Sequence, residues 1–285
     1  MNKGRPQTAD RKPDTGKKVA ETRYSRDDSG KKWAKEKSND PLIRFNIYGR
    51  QPLVEALRSS VKVEKVWLAK DLQGPSVKQI QALLLQNEIP TEVVQKDGIQ
   101  KMVGPVVHQG VAAQIQIRLV ENEHAFTKIL KEKEIPLILI LDQLQDPHNL
   151  GAILRTAEIS GVDMVVMPLK GSAEINATVA KTSAGALFHV PIYRCPNLLE
   201  TFEVLKSLNI QIVATLPHAA QSMYQADFKN ATAIIVGNEG QGVRKNIVPF
   251  ADHSIYIPQK GRLNSLNASV STAVVLYEAL RQRQI

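Results

Sequence analysis

Cysteine is almost absent: Cys195 is the only one in 285 residues. That excludes an intrachain disulfide framework and a cysteine cluster around a metal, so no metal is expected, and it fits a reducing compartment. No apolar run approaches the roughly 18 residues that cross a bilayer, and no continuous apolar segment near the N-terminus reads as a secretory signal. A cytoplasmic protein without membrane contact is expected. Nucleotide-phosphate motifs are missing too: there is no Gly-Lys-Ser/Thr loop ending and no GxGxxG, which disfavours a nucleotide-dependent kinase or dehydrogenase. Residues 1–40 hold no Leu, Ile or Phe, too little apolar surface to offset the entropy of ordering. Residues 1–41 are therefore expected to be a disordered basic arm. It serves either as a solubilising tail or as a loose RNA contact in which Tyr24 and Trp33 stack on bases. Its many acidic residues argue against a transit peptide.

What the chain does have is positive charge, a formal +9 with a pI near 9.5. Lys and Arg outnumber Asp and Glu by 12 to 7 over residues 1–40, by 13 to 10 over 41–134 and by 12 to 11 over 135–285. Clustered cations gain free energy by releasing counterions from phosphates, so a polyanionic partner is expected. After the arm, helical spacing over residues 49–59 and 77–86 alternates with strand-like runs at 63–69, 90–94 and 110–117. This predicts a small α/β domain over residues 42–118, with His108-Gln109-Gly110 as a polar turn capped by the histidine. Residues 119–135 are a charged connecting helix or linker. From Pro136 to the end, apolar runs at 137–141, 163–167, 210–216, 233–236 and 254–257 alternate with helical segments starting near residues 149, 175, 198 and 267. That pattern implies a parallel sheet with crossover helices on both faces.

Three polar segments follow these strands, and ligands of parallel sheets sit at the strands' carboxyl ends. The first, Asp146-Pro-His-Asn149-Leu-Gly151-Ala-Ile-Leu-Arg155, offers Asn149 as a helix N-cap and Gly151 for close backbone approach. Arg155 stands among apolar residues, where an unpaired charge is costly, and a structural salt bridge is the plain expectation for it. The second, Gly237-Asn238-Glu239-Gly240-Gln241-Gly242, reads either as a chain reversal or as one wall of a ligand site. Glu239 suits a ligand hydroxyl or amide better than a phosphate, which it would repel. The third runs from Ile257 through Lys260, Arg262, Ser265 and Leu266 to Asn267, where Ser265 or Asn267 caps the last helix. Lys260 and Arg262 meet an RNA phosphate or simply face solvent. Cys195 lies outside all three segments and reads as a buried or loop thiol rather than a nucleophile.

Taken together, Asn149-x-Gly151-Ala-Ile-x-Arg155-Thr-Ala, Gly237-Asn-Glu-Gly240-x-Gly242 and Ile257-Pro...Ser265-Leu-Asn267-x-Ser269 resemble the three signature motifs of the SpoU (TrmH) branch of the SPOUT RNA methyltransferases. They occur in the same order, over about residues 136–283. Residues 45–117, with Ile47-Tyr48-Gly49-Arg50 and His108-Gln109-Gly110-Val111, resemble the ribosomal-protein-like substrate-binding domain of the RlmB subgroup.

The resemblance implies a C-terminal parallel-sheet α/β domain over residues 136–285 tied in a deep trefoil knot, an exception to the usual absence of knots. It implies a homodimer and S-adenosyl-L-methionine as methyl donor, with methylation of a guanosine ribose in large-subunit ribosomal RNA. Transfer RNA as substrate, or a non-catalytic ribosome-assembly factor, are the alternatives. Carried over by motif, Arg155, Asn149, Glu239, Ser265 and Asn267 form the catalytic set. Gly237, Ile257, Leu266, Asn267, Thr215 and Leu216 hold the cofactor, and Arg50, Lys260 and Arg262 contact RNA. The chain departs from many relatives at Gln259 and Lys260, where they have a small residue and methionine, and at Ala268, where they have valine; these positions bear on substrate preference.

Overall fold

The computed structural model describes residues 41–238, 240–262 and 265–284. The basic arm with Tyr24 and Trp33, and Glu239, lie outside the described residues.

The first layer pair comprises β1 (Leu42–Tyr48), α1 (Arg50–Arg58), β2 (Lys62–Ala69), α2 (Pro75–Gln86), β3 (Thr91–Val94), α3 (Lys96–Val103) and β4 (Val111–Arg118). The sheet order is β1-β4-β2-β3, with β4 antiparallel to both neighbours and β3 parallel to β2. The α1 face that meets the sheet is built from Leu53, Val54, Ala56 and Leu57. In α2 only Ile80 and Leu84 are buried, while Leu85 faces water. His108 Nδ1 accepts from the Gly110 amide at 3.1 Å and fixes the turn before β4, as expected for a capping histidine.

The second layer set comprises α4 (Glu123–Lys131), β5 (Leu137–Asp142), α5 (Pro147–Ile159), β6 (Met164–Pro168), α6 (Ala177–Thr182), β7 (Ile192–Cys195), α7 (Leu198–Ser207), β8 (Gln211–Thr215), β9 (Gln221–Ser222), β10 (Thr232–Gly237), β11 (His253–Tyr256) and α8 (Ala268–Arg283). Its order is β7-β6-β5-β10-β8-β11-β9, and every recorded pairing is parallel. Parallel strands covered on both faces read as continuous apolar runs, which is what LILILD and TAIIVG are. Side chains alternate faces: Leu139, Leu141, Ile234 and Val236 join one core with α5 and α8, while Ile138, Ile140, Ala233 and Ile235 join another with α4 and α7. Residues 119–135 therefore contain a helix whose Phe126 and Leu130 are part of a core.

The larger core is continuous from Ile47, Leu53 and Ile117 of the first sheet, through Leu187, Phe188 and Val190, to the α5 side of the second. Residues 39–285 form one compact unit. Among the described residues no helix is long and apolar enough to cross a membrane. Cys195 is fully buried at the end of β7.

Candidate functional site

The chain lays down β5, β6 and β7 outward in one direction, then places β8 beyond β10 on the other side of β5. The loops after β5 and β10 thus leave adjacent strands where the order turns, which is the place open α/β sheets use for ligands.

After β10 the backbone folds back on itself. Asn238 N donates to Gly242 O at 3.1 Å, and Gly242 N returns a bond to Asn238 O at 2.9 Å. A Cβ on Gly237 would lie 2.0 Å from the Gly242 carbonyl carbon, so only glycine permits this turn. The Asn238 amide donates to Gln143 O at 3.0 Å and ties the loop to the end of β5. A second tie is Asp142, fully buried, which accepts from Arg244 N at 2.9 Å and Nε at 2.8 Å and pairs with its terminal nitrogen at 2.7 Å. Paired and hydrogen-bonded in this way, a buried carboxylate is tolerable; alone it would be costly. Sequence reasoning missed Asp142 and Arg244. The signal was there, since a carboxylate closing an otherwise wholly apolar strand has to be satisfied by something nearby.

Motif one enters differently from the expectation. Asp146, not Asn149, is the N-cap of α5: its carboxylate accepts from His148 N at 2.9 Å and Asn149 N at 3.3 Å, and Pro147 occupies the first turn. A carboxylate beside a proline at N1 is the stronger start signal. Asn149 is thereby free of capping, and its side-chain oxygen accepts from Asn267 Nδ2 at 3.0 Å. Asn267 rather than Ser265 caps α8, with Oδ1 accepting from Ser269 N, Ser269 Oγ and Val270 N. One asparagine pair thus joins the first and third motifs.

Arg155 also differs from expectation. It is exposed, and among the described residues it has neither a salt bridge nor a hydrogen bond. Ile153, Leu154 and Ala157 turn into the core, leaving Arg155 on the outer face of α5 together with Ile159.

A cleft of about 300 Å³ opens at these strand ends. Thr215, Leu216, Gly237, Ile257 and Leu266 line it, five of the six expected cofactor residues, and Ser265 of the expected catalytic set joins them. Asn267 stands beside it at the start of α8, and Arg155 is not part of its lining. Gln259 and Ala268, two of the departures from the motif pattern, are on its walls. Thr215 Oγ1 donates to Ile235 O at 2.8 Å and so orders the strand end. Among the described residues, no charged side chain lines the cleft. Apolar walls with backbone donors and acceptors suit a neutral nucleoside moiety, and a polyphosphate would find no cation there.

The expected RNA contacts lie elsewhere. Lys260 and Arg262 are exposed on the loop after β11. Arg50 is committed to its own domain: its guanidinium donates to Gln109 O at 3.2 Å, Ser76 Oγ at 3.3 Å and Gln73 O at 2.6 Å. No group of three or more His, Cys, Asp or Glu among the described residues is arranged to hold a metal.

Comparison with known proteins agrees with this geometry. Residues 136–277 match the SpoU rRNA methylase family, and residues 46–118 match an RNA 2'-O ribose methyltransferase substrate-binding family. The chain is 37% identical over 239 residues to the 23S rRNA (guanosine-2'-O-)-methyltransferase RlmB of Pseudomonas aeruginosa, covering 83% of this chain and 96% of that one. Among solved structures it resembles an RNA 2'-O ribose methyltransferase with a TM-score of 0.69 at 28% identity, over 85% and 90% of the two chains. The fold also matches AviRb of Streptomyces viridochromogenes, solved in complex with AdoMet, with a TM-score of 0.72 at 23% identity over 85% and 91%.

Proposed function

The chain belongs to the SpoU rRNA methylase family, and from that premise we propose that it methylates the ribose 2'-oxygen of a guanosine in large-subunit ribosomal RNA, using S-adenosylmethionine. The observation that carries this reading is the cleft walled by the glycine loop and the Ile257–Leu266 segment, without a charged side chain among its described lining residues and with the Asn149–Asn267 bond nearby. The main chain around Gly237, Ile257 and Leu266 would hold the cofactor. When bound, that cofactor supplies an electrophilic methyl group on sulfur. The chain's task is to hold the ribose oxygen in line and to accommodate the negative charge that grows as its proton leaves.

Arg155 fits that task as a clamp. A guanidinium holds its proton tenaciously, so it serves better as a phosphate anchor and alkoxide stabiliser than as a base. Its exposure, without a partner among the described residues, leaves the charge available to RNA. Asn149 and Asn267 would orient the ribose, with Ser265 and Glu239 completing the set and Lys260 and Arg262 steering the strand. Residues 42–118 form the RNA-binding domain in this reading, 119–135 the connector and 136–285 the transferase domain. A ribosomal RNA substrate places the protein in the cytoplasm.

Two architectural features belong to the same proposal. Threading of the C-terminal segment into a trefoil knot is supported by the insertion of β10 between β5 and β8 and by the return of α8 onto α5. Homodimerisation is supported by the outer face of α8 and α5, where Val270, Tyr277 and Ile159 are about half exposed (47%, 52% and 57%). Arg155, one turn before Ile159, shares that face, and in this reading it would serve a partner's cleft.

The test is transfer of labelled methyl to ribosomal and transfer RNA fractions lacking their own modification, followed by mapping of the modified ribose. Incorporation at one guanosine of large-subunit RNA is expected, and Arg155→Lys should abolish it while leaving cofactor affinity, read by calorimetry, unchanged. Incorporation into transfer RNA alone would replace the substrate, and no incorporation with RNA binding retained would leave a ribosome-assembly factor.

A further inference from the structure

Three glycines mark close packing around the segment from α6 to Phe188: Gly49 and Gly151 press on it from outside, and Gly185 presses outward from it. A Cβ on Gly49, at the head of α1, would lie 2.6 Å from Lys181 Nζ. A Cβ on Gly185 would lie 2.4 Å from Glu55 Cβ of α1, and one on Gly151 of α5 would lie 1.8 Å from Thr182 Oγ1. Residues 177–188 are therefore a plate held against the small domain on one side and α5 on the other. At the small-domain edge, Gln109 adopts a left-handed backbone (φ 56°) and its side-chain oxygen accepts from Arg50 N at 3.0 Å. The same oxygen lies 3.5 Å from Lys181 Nζ, its donor across the seam. Among the described residues Lys181 is half-buried and pairs with no carboxylate, so this neutral oxygen is its fixed contact.

We propose that Lys181 and Gln109 are positioning residues: their clasp sets the small domain at a fixed distance from the α5 helix that carries Asn149 and Arg155, and so selects which ribose of a bound RNA reaches the cleft. The proposal rests on the methyltransferase reading above. An RNA held by the small domain reaches the transferase site as an intramolecular event, at an effective concentration set by the stiffness of the connection. Alignment within a fraction of an ångström governs the rate of in-line transfer. Neither Lys181 nor Gln109 lines the cleft. A backbone in the left-handed region costs free energy at a residue other than glycine or asparagine, and here it is the conformation that aims the Gln109 oxygen across the seam.

The experiment uses the full chain and two RNAs: a long fragment of large-subunit RNA containing the mapped guanosine, and a short oligonucleotide spanning only that guanosine. Lys181→Met and Gln109→Leu should each raise KM for the long fragment about tenfold and scatter methylation onto neighbouring riboses. Turnover of the oligonucleotide and S-adenosylmethionine affinity should stay within twofold. Gln109→Glu, which keeps an acceptor for both donors, should behave as wild type toward the long fragment. Amide exchange in residues 49–53 and 177–188 should speed up in Lys181→Met and Gln109→Leu only. Unchanged KM and site choice in both variants overturns the proposal. So does a Gln109→Glu protein as impaired as Gln109→Leu, because the side-chain amide would then be reading RNA directly. If the wild-type chain methylates neither RNA, the transferase reading falls, and the exchange arm alone decides whether the clasp exists.

Discussion

Gly151 and Gly237 are glycines because of what lies next to them. A Cβ at Gly151 would overlap Thr182 Oγ1 at 1.8 Å and Thr182 Cβ at 2.8 Å, and overpacking of this kind costs typically 1–3 kcal/mol. Gly151→Ala is expected to lower unfolding free energy by roughly 3 kcal/mol in urea titration, at the upper end of that range. Thr182→Ala should relieve only part of the loss, because the Cβ contact remains. Gly237→Ala acts on the loop instead: its Cβ would strike backbone atoms of Gly242 and Val243 at 2.0 and 2.1 Å. Calorimetry should show S-adenosylmethionine affinity down at least tenfold, about 1.4 kcal/mol, with a small change in melting temperature. Cys195 is a packing residue. Burial pushes its thiol up from 9.0 to about 11, so the fold favours the neutral form. That contribution is whole below pH 9 and is lost as pH rises through about 11. Native protein at pH 8 should not react with an aromatic disulfide reagent until denatured, and Cys195→Ser should remain active; fast labelling of the folded chain would contradict the buried assignment.

The ends of the elements carry as much as their lengths. Arg283, in the last turn of α8, donates to four carbonyls: Phe228 at 2.9 Å, Ile135 at 2.8 Å, Asn230 at 2.8 Å and Pro136 at 3.4 Å. These carbonyls lie just ahead of β5 and β10, so one guanidinium holds the start of both central strands. Hydrogen bonds from charged groups contribute about 1.5–3 kcal/mol each at most net, and several share this one donor. Arg283→Ala should therefore cost about 3 kcal/mol in thermal or urea unfolding; a change below 0.5 kcal/mol would show that water replaces it without penalty. Sequence periodicity found the central strands because burial on both faces left LILILD and TAIIVG without polar interruptions. It did not find β1, where only Ile47 is buried, or β7, a four-residue edge strand after Pro191. The α3 helix went unread because Ile99 is its only buried residue. At the start of α5, Asn149 is a cap-type residue in isolation, but Asp146 followed by Pro147 has the better capping chemistry and takes the position. The motifs located the cleft, but the Asp142–Arg244 tie and the Asn149–Asn267 bond join residues more than 100 positions apart, which no local pattern reports.

At the scale of the whole molecule, the exposed Ile159, Val270 and Tyr277 and the exposed Arg155 belong to one question. In α8, Val275, Leu276 and Ala279 are buried in the core, while Val270 and Tyr277 face outward beside the exposed Arg281. Large apolar side chains left half exposed on neighbouring helices suit a partner surface, and a two-fold pairing would cover them with the same patch from a second copy. Tyr277→Asp places a charge in that patch and should convert a dimer to a monomer by analytical ultracentrifugation at micromolar concentration. If Arg155 serves the partner's cleft, two proteins that are inactive at S-adenosylmethionine concentrations too low to fill the Gly237→Ala cleft should rescue one another there. Arg155→Lys lacks the clamp but keeps the cleft, and Gly237→Ala lacks the cleft but keeps the clamp. In a mixed dimer, the clamp of the second protomer would meet the cleft of the first and restore one site. With random exchange half the dimers are mixed, so about a quarter of wild-type activity is expected. No recovery, with subunit exchange verified by mass spectrometry, would place Arg155 over its own cleft and separate dimerisation from catalysis.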